Sequence, residues 1–132
     1  MTSFWILLIA IWPTQPQMGE SLMVRVQTDQ PPQGQWMVSV RNSAGKPLKE
    51  LVIPVTSSKK DQVLNLGSWK EGSYTLALYL DKNKNNRLDK GLFGQPLEPY
   101  AFSNNARASF SEPPVADQRF EHPAGVQILK LK

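Results

Sequence analysis

Apolar and polar residues alternate along much of the chain in short runs, which are separated by Gly, Pro, Asn and Lys. The runs 22–26 and 36–40 place an apolar side chain at every second position, and the run 126–131 is rich in Val, Ile and Leu. A period of two is typical of a β-strand with one buried face, whereas the longer period of an amphipathic helix is nearly absent. The chain is therefore predicted to be all-β.

Two further runs carry information about their position in a sheet. The run 51–55 contains Pro54, which has no backbone N–H to donate, so this strand is predicted to lie at a sheet edge. The run 74–80 is apolar on both faces, which predicts a central strand. With a short run at 63–66, the pattern predicts a single antiparallel β-sandwich of about seven strands.

The alternation stops in the segment 81–124, where Asn, Pro, Phe and Gly are frequent. Loops longer than about 15 residues are uncommon inside a compact domain unless they are functional or contain structure of their own. Large aromatic residues recur through the segment, and rings of this size are usually buried. They are Phe93, Tyr100, Phe102, Phe110 and Phe120. We therefore predict a long ordered loop at 81–124, packed over one end of the sandwich.

The N-terminal residues 1–19 are predicted to be a signal peptide, followed by one β-sandwich domain at 20–132. The apolar run 4–12 is too short to span a bilayer, which needs about 20 residues, and Pro13 follows it directly. The alternative is a buried N-terminal strand. We expect an exported protein, periplasmic or secreted, with no stable membrane insertion once the signal has been removed.

Composition excludes several classes of function. The chain has 15 Lys and Arg residues against 11 Asp and Glu residues, and its net charge of +4 is scattered along the sequence. Nucleic-acid binding needs basic residues clustered on one face, so no nucleic-acid partner is expected. Cysteine is absent, which excludes disulfides, thiolate metal sites and cysteine nucleophiles.

The residues that follow the run 74–80 place oxygen-bearing groups at alternate positions. In the calcium loops of helix-loop-helix proteins, positions one, three and five supply side-chain oxygens, position seven supplies a backbone carbonyl, and position nine supplies an oxygen or a water. Here these positions are Asp81, Asn83, Asn85, Arg87 and Asp89. The spacing indicates a candidate site for Ca²⁺.

This ligand set is incomplete. Position six, normally glycine, is Asn86, and position twelve, normally a bidentate glutamate, is Leu92, so Glu98 or Asp117 would have to close the site. Lysine and arginine side chains on the same loop oppose a cation, which predicts a dissociation constant of about 0.1 to 1 mM. The alternative is a metal-free turn, because Asn and Asp side chains readily bond their own backbone.

The two stretches YLDKNKNNRLD at 79–89 and FGQPLEPYAFSNNA at 93–106 carry a specific ordered pattern. This pattern resembles the signature of the bacterial domain of unknown function 2141 family, and the resemblance extends from about residue 21 to the C-terminus. Asn86 and Ala101 stand where that family usually has glycine. The resemblance implies an exported immunoglobulin-like or transthyretin-like β-sandwich, and it implies no particular activity.

We interpret the protein as a non-catalytic binding or structural module that presents the long loop to a protein, peptide or carbohydrate ligand. Aromatic rings next to amides suit such ligands, and the loop contains a cluster of both. The candidate surface comprises Glu98, Tyr100, Phe102, Ser103, Asn104 and Asn105. For the last three residues the alternative is a network of hydrogen bonds that ties the loop to the strands.

The other reading is a hydrolase-type enzyme that pairs a loop carboxylate, Glu98, Glu112 or Asp117, with His122. A lone histidine beside a proline is more typical of a surface loop. No serine lies in the Gly-x-Ser-x-Gly context of a nucleophile elbow, and no phosphate-binding glycine loop is present. The sequence therefore favours a non-catalytic module.

Overall fold

The computed structural model describes residues 19–109 and 111–132. The predicted signal peptide and Phe110 therefore lie outside the described residues, apart from Gly19. The described part contains eight strands, one short α-helix and one turn of 3₁₀-helix. The strands are β1 (Glu20–Gln27), β2 (Gln35–Asn42), β3 (Pro47–Pro54), β4 (Asp61–Trp69), β5 (Gly72–Asp81), β6 (Tyr100–Phe102), β7 (Phe120–His122) and β8 (Gln127–Lys130). The 3₁₀ turn is Ser103–Asn105 and the helix, α1, is Val115–Gln118.

The strands form two sheets. The smaller sheet has the order β4-β1-β8, and the larger has the order β3-β2-β5-β6, with β7 also paired to β5. The mostly β class is confirmed, but two details of the prediction are wrong. The described residues contain eight strands rather than about seven, because β6 and β7 are too short to show an alternating pattern. The sheets are also not purely antiparallel, since β8 pairs with β1 in parallel.

The two sheets share one hydrophobic core. Its side chains are the apolar positions of the alternating runs, because every second residue of a strand points to the same face. Trp36 is the largest fully buried side chain, with 1% of its surface exposed. Burying a side chain of the size of Leu or Val stabilises the fold by about 1.5 to 3 kcal/mol, so this shared core is the main source of stability.

The predicted sheet positions of two strands are confirmed. β3, which ends at Pro54, is the edge strand of the larger sheet, and β5 lies between β2 on one side and β6 and β7 on the other. The proline lies opposite Gln35 at the end of the ladder, where a missing donor costs least.

The segment 81–124 is structured, and part of it extends the larger sheet instead of covering one end of the fold. β6 and β7 both come from it and pair with the same edge of β5. The expectation that its rings are buried is wrong for Phe93, which is 93% exposed. Tyr100, Phe102 and Phe120 are half-buried.

The described residues contain no helix of the length and apolar character needed to cross a bilayer.

Candidate functional site

The Asp/Asn loop, residues 81–89, begins at a buried carboxylate. Asp81 is the last residue of β5, and its side chain is 0% exposed. One oxygen, Oδ2, accepts hydrogen bonds from the amide of Gln35 on β2 at 2.8 Å and from the backbone N–H of Asn86 at 2.8 Å. The other accepts from the backbone N–H of Asn85 at 3.3 Å. Asp81 therefore fixes the start of the loop and joins it to the neighbouring strand.

The loop turns through two residues with left-handed backbones, Lys84 with φ of 57° and Asn86 with φ of 63°. Asn86 occupies the position where a calcium loop normally has glycine, and asparagine adopts this conformation more readily than most residues. The side-chain oxygens of Asn83 and Asn85 accept from backbone N–H groups two residues further on, at 3.3 and 2.9 Å. The loop thus has the compact turn that its asparagines predict.

Three predicted ligand side chains converge inside this turn. The amide nitrogen of Asn83 donates to Asp89 at 2.8 Å, and that of Asn85 donates to the other oxygen of the same carboxylate at 2.7 Å. Both amide oxygens instead face the backbone. The side chain of Arg87 is exposed on the outside of the loop. Its backbone N–H donates to the side-chain oxygen of Asn85.

Glu98 closes the loop from the other side. It is almost completely buried, and its two oxygens accept from the backbone N–H groups of Lys82 at 2.7 Å and Asp89 at 3.0 Å. Asp117 lies on α1, beside Asn104 rather than beside the loop. Within residues 19–109 and 111–132, no group of three or more His, Cys, Asp or Glu side chains is arranged to hold a metal ion. Asp81 and Glu98 both use their carboxylates to bind backbone N–H groups of the loop.

A groove with a volume of about 1050 Å³ lies on the outer face of the larger sheet. Its floor consists of two rows of side chains that the strand pairing places side by side. One row is Glu50, Ser39, Ala77 and Phe102, and the other is Met37, Tyr79 and Tyr100. Because Ala77 is small and lies between Ser39 and Phe102, it leaves a hollow in the middle of the floor. The Asp/Asn loop and the residues after it form one wall, with Asn86, Leu88 and Phe93 among them.

Polar side chains line one side of the groove. Ser39 donates to Glu50 at 3.1 Å and accepts from the guanidinium of Arg41 at 3.1 Å. The same guanidinium forms an ion pair with Glu112, whose side chain is about half exposed. These polar side chains can also donate hydrogen bonds to a ligand in the groove or accept hydrogen bonds from it.

Aromatic side chains line the other side. The rings of Tyr100 and Phe102 meet edge to face with centroids 6.0 Å apart, and the guanidinium of Arg107 lies 4.8 Å from the centroid of Tyr100. Burial, together with the negative charges of Asp81 and Glu98, raises the pKa of Tyr79 above its usual value. The Tyr79 phenol is therefore a neutral hydrogen-bonding group at physiological pH.

The predicted polar cluster at 103–105 is bonded into the fold. The hydroxyl of Ser103 is fully buried, accepts from the backbone N–H of Leu76 at 2.9 Å and donates to the carbonyl of Gln118. The side-chain amide of Asn104 donates to two carbonyls near α1 and accepts from the side chain of Gln127. The side-chain amide of Asn105 both donates to and accepts from the backbone of β8. These bonds favour the network interpretation over a ligand-contact role for the three residues.

The family model described as "Uncharacterized protein conserved in bacteria (DUF2141)" matches residues 24–128. The chain belongs to this family. The matched range begins in β1 and ends in β8, so it includes both sheets, the Asp/Asn loop and the groove. Searches of curated proteins and of solved structures found no significant match.

In this DUF2141 domain, His122 is not the surface loop residue that the sequence suggested. It lies on β7, is 4% exposed, packs edge to face against Tyr74, and contacts the carbonyl of Glu20 at 2.9 Å. It pairs with Gly72 at one end of β5, whereas Glu98 lies at the other end, about 30 Å away at the usual rise per strand residue. A catalytic pair of His122 and Glu98 is therefore geometrically excluded.

Sequence reasoning identified only part of the groove of the DUF2141 domain. Tyr100 and Phe102 were predicted as surface contacts, and both line it. Ser39 and Arg41 were missed, and Glu112 was named only as a candidate carboxylate of the hydrolase alternative, not as a groove residue. The available signal was the alternation in β2, where Ser39 and Arg41 occupy the face opposite the apolar core positions.

Proposed function

We propose that this domain is a non-catalytic binding module whose ligand occupies the groove on the outer face of the larger sheet. The observation that carries the proposal is the groove itself, a concavity of about 1050 Å³ that combines aromatic rings with a polar row. Binding sites for small ligands and short chains are usually concave, largely apolar and furnished with a few placed polar groups. The residues present suit a peptide or a carbohydrate, since both offer apolar faces and hydrogen-bonding edges.

The proposal includes an exported protein with an immunoglobulin-like or transthyretin-like sandwich. The apolar run 4–12, followed by Pro13, supports export to the periplasm or the medium. Two sheets that face one another across a single core support the sandwich class.

The groove can be tested by screening the protein on peptide and glycan arrays. The affinity for each ligand that binds is then measured for the unmodified protein and for groove variants. We expect Phe102→Ala to weaken binding about tenfold or more, because aromatic anchors in a groove contribute much of the binding energy. Glu112→Gln should weaken binding of a ligand that presents a cation to this side chain, because it removes the negative charge and keeps a hydrogen-bond acceptor.

The matched control is Val63→Ala, which removes an exposed apolar side chain from β4 in the other sheet. Circular dichroism of each variant verifies that the fold is retained. Equal loss of affinity in Val63→Ala and Phe102→Ala, or ligands unaffected by both groove variants, would refute the assignment of the groove.

We also infer that the Asp/Asn loop binds calcium weakly, with a dissociation constant of about 0.1 to 1 mM. The convergence of Asn83, Asn85 and Asp89 and the left-handed backbone of Asn86 support this. Binding requires both amides to turn their oxygens toward the ion, which breaks their bonds to the backbone. Two buried acids are also occupied by backbone N–H groups, so the affinity is low.

Titration calorimetry with calcium chloride tests this inference, together with melting in calcium and in chelator. We expect saturable heat and a higher melting temperature with calcium, because a ligand that binds the native state stabilises it. Asp89→Asn should abolish both effects, and Asp117→Asn, the same change on α1, should leave them unchanged. Absence of heat and of any melting shift in the unmodified protein would show that the loop is a metal-free turn.

A further inference from the structure

A turn beyond the Asp/Asn loop carries large apolar side chains with almost no cover. The backbone N–H of Gly91 bonds the carbonyl of Gln95 at 2.8 Å, which closes a tight turn with Leu92 and Phe93 at its apex. Leu92 is 98% exposed, Phe93 is 93% exposed, and Leu97 beside them is 61% exposed. Exposed apolar side chains that cluster in this way usually mark a surface that contacts another molecule.

Charges on residues 81–98, which include the Asp/Asn loop and this turn, are separated by sign. The four cations of this stretch, Lys82, Lys84, Arg87 and Lys90, are all exposed. The acids of the segment are turned inward, since Asp81 and Glu98 are buried on backbone N–H groups and Asp89 is bonded to two asparagine amides. The exposed charges of residues 81–98 are therefore mainly cationic, although these residues together have nearly balanced charge. Lys90 lies directly beside the apolar turn, since it pairs with Pro96.

We propose that the apolar turn, residues 91–97, docks the protein on the surface of an anionic phospholipid bilayer. The apolar side chains would enter the boundary between headgroups and acyl chains, while the surrounding lysines and arginine contact phosphates. Apolar side chains flanked by cations are the combination that holds proteins at anionic membrane surfaces without spanning them.

The shape of the turn favours a bilayer over a protein partner. Two side chains at the apex of a tight turn form a small convex tip, whereas a stable protein interface buries about 1,000 Å² or more of complementary surface. A bilayer accepts a small convex tip without such complementarity. Phe93 also lies in the wall of the groove, so docking would hold the groove next to the headgroups. The proposal depends on neither the groove ligand nor calcium.

Co-sedimentation with lipid vesicles tests the proposal. The protein should sediment with vesicles of phosphatidylcholine mixed with phosphatidylglycerol, remain free with phosphatidylcholine alone, and dissociate as salt is added. The double change Leu92→Ser with Phe93→Ser should reduce the partition coefficient at least about a hundredfold, at about tenfold for each buried apolar side chain. Changing Lys82 and Lys90 to Gln should reduce it about 25-fold, at about fivefold for each cation.

Matched controls use exposed residues away from the turn. Leu48→Ser with Val63→Ser removes two apolar side chains that are 52% and 55% exposed, and changing Lys59 and Lys60 to Gln removes two exposed cations. Neither control should alter partitioning.

Because the chain has no cysteine, Phe93→Cys provides a single labelling position for an environment-sensitive fluorophore. Its emission should shift to the blue on anionic vesicles, and the same label at Val63→Cys should not respond. Failure to sediment with anionic vesicles, or unchanged sedimentation of the Leu92→Ser, Phe93→Ser protein, would overturn the proposal. Binding to an acidic protein without vesicle binding would overturn it equally.

Discussion

Replacing Asp81 with alanine is expected to lower the free energy of unfolding by about 3 kcal/mol, which is the largest effect of any single change in the loop. The carboxylate is 0% exposed and accepts bonds from the side chain of Gln35 and from the backbone N–H groups of Asn85 and Asn86. Removing it leaves the backbone N–H of Asn86 without an acceptor and an uncharged cavity where a carboxylate stood, in a site that water enters poorly. Gln35 and Asn85 each lose one of two acceptors, and keep the side-chain oxygens of Asn86 and Asn83. For a domain of this size the melting temperature should fall by roughly 10 to 20 °C.

Chemical denaturation in the presence of a chelator measures this effect without any contribution from calcium. The matched control is Asp89→Ala in the same loop. Its partners are the side-chain amides of Asn83 and Asn85, which water can satisfy, so we expect a loss below about 1 kcal/mol. Equal destabilisation by the two changes would contradict the role given to Asp81.

Replacing Ser103 with alanine is expected to cost about 2 kcal/mol. β5 pairs with β7 at residues 72–74 and with β6 at residues 77–79, so the ladder along this edge is interrupted between them. The Ser103 hydroxyl fills the interruption by accepting from the backbone N–H of Leu76 and donating to the carbonyl of Gln118. Without it, two buried backbone groups lose their partners.

Amide hydrogen exchange distinguishes this local effect from general loss of stability. The Leu76 amide should lose more protection in Ser103→Ala than amides in the centre of β2. Ser73→Ala is the matched control, because the Ser73 hydroxyl bonds an exposed side chain, that of Glu121, at 2.8 Å. It should change stability by less than about 0.5 kcal/mol. Unchanged protection of Leu76 in Ser103→Ala would show that the hydroxyl does not complete the ladder.

The strands that form the core could be predicted because their local pattern matches their environment. Alternate residues of β1, β2 and β5 point into one core. The period of two therefore predicts both that each run is a strand and which of its faces is buried. β6 and β7 have three residues each, which is too few to show a period. Their positions follow from pairing with β5, which is a long-range contact that the local sequence does not contain.

The backbone turn of the Asp/Asn loop could be predicted from the sequence, but the burial of Asp81 at its start could not. Asn86 stands at the position that calcium loops usually give to glycine, and its backbone is left-handed, with φ of 63°. The complete burial of Asp81 was not foreseen, because aspartate is rarely buried unless its bonding partners are in place. Those partners include Gln35, which is 46 residues earlier and reaches Asp81 only through the register of β2 and β5.

The groove was largely invisible in the sequence for the same reason. Glu50, Ser39, Ala77 and Phe102 are distant in sequence and form one row only because the strands pair in a particular register. A shift of one residue in any pairing would place these side chains on the opposite face. The alternation of β2 shows which of its residues face outward. The strand pairing decides which residues of neighbouring strands lie beside them on that face.

The central claim is that the outer face of the larger sheet is the binding surface. The most direct test is to record amide chemical shifts of the isotope-labelled protein while small peptide and sugar fragments are added. Shifts should concentrate at Ser39, Ala77 and Phe102 and continue into the loop at Asn86. Shifts confined to the smaller sheet, or spread over both sheets without concentration in the groove, would contradict the claim.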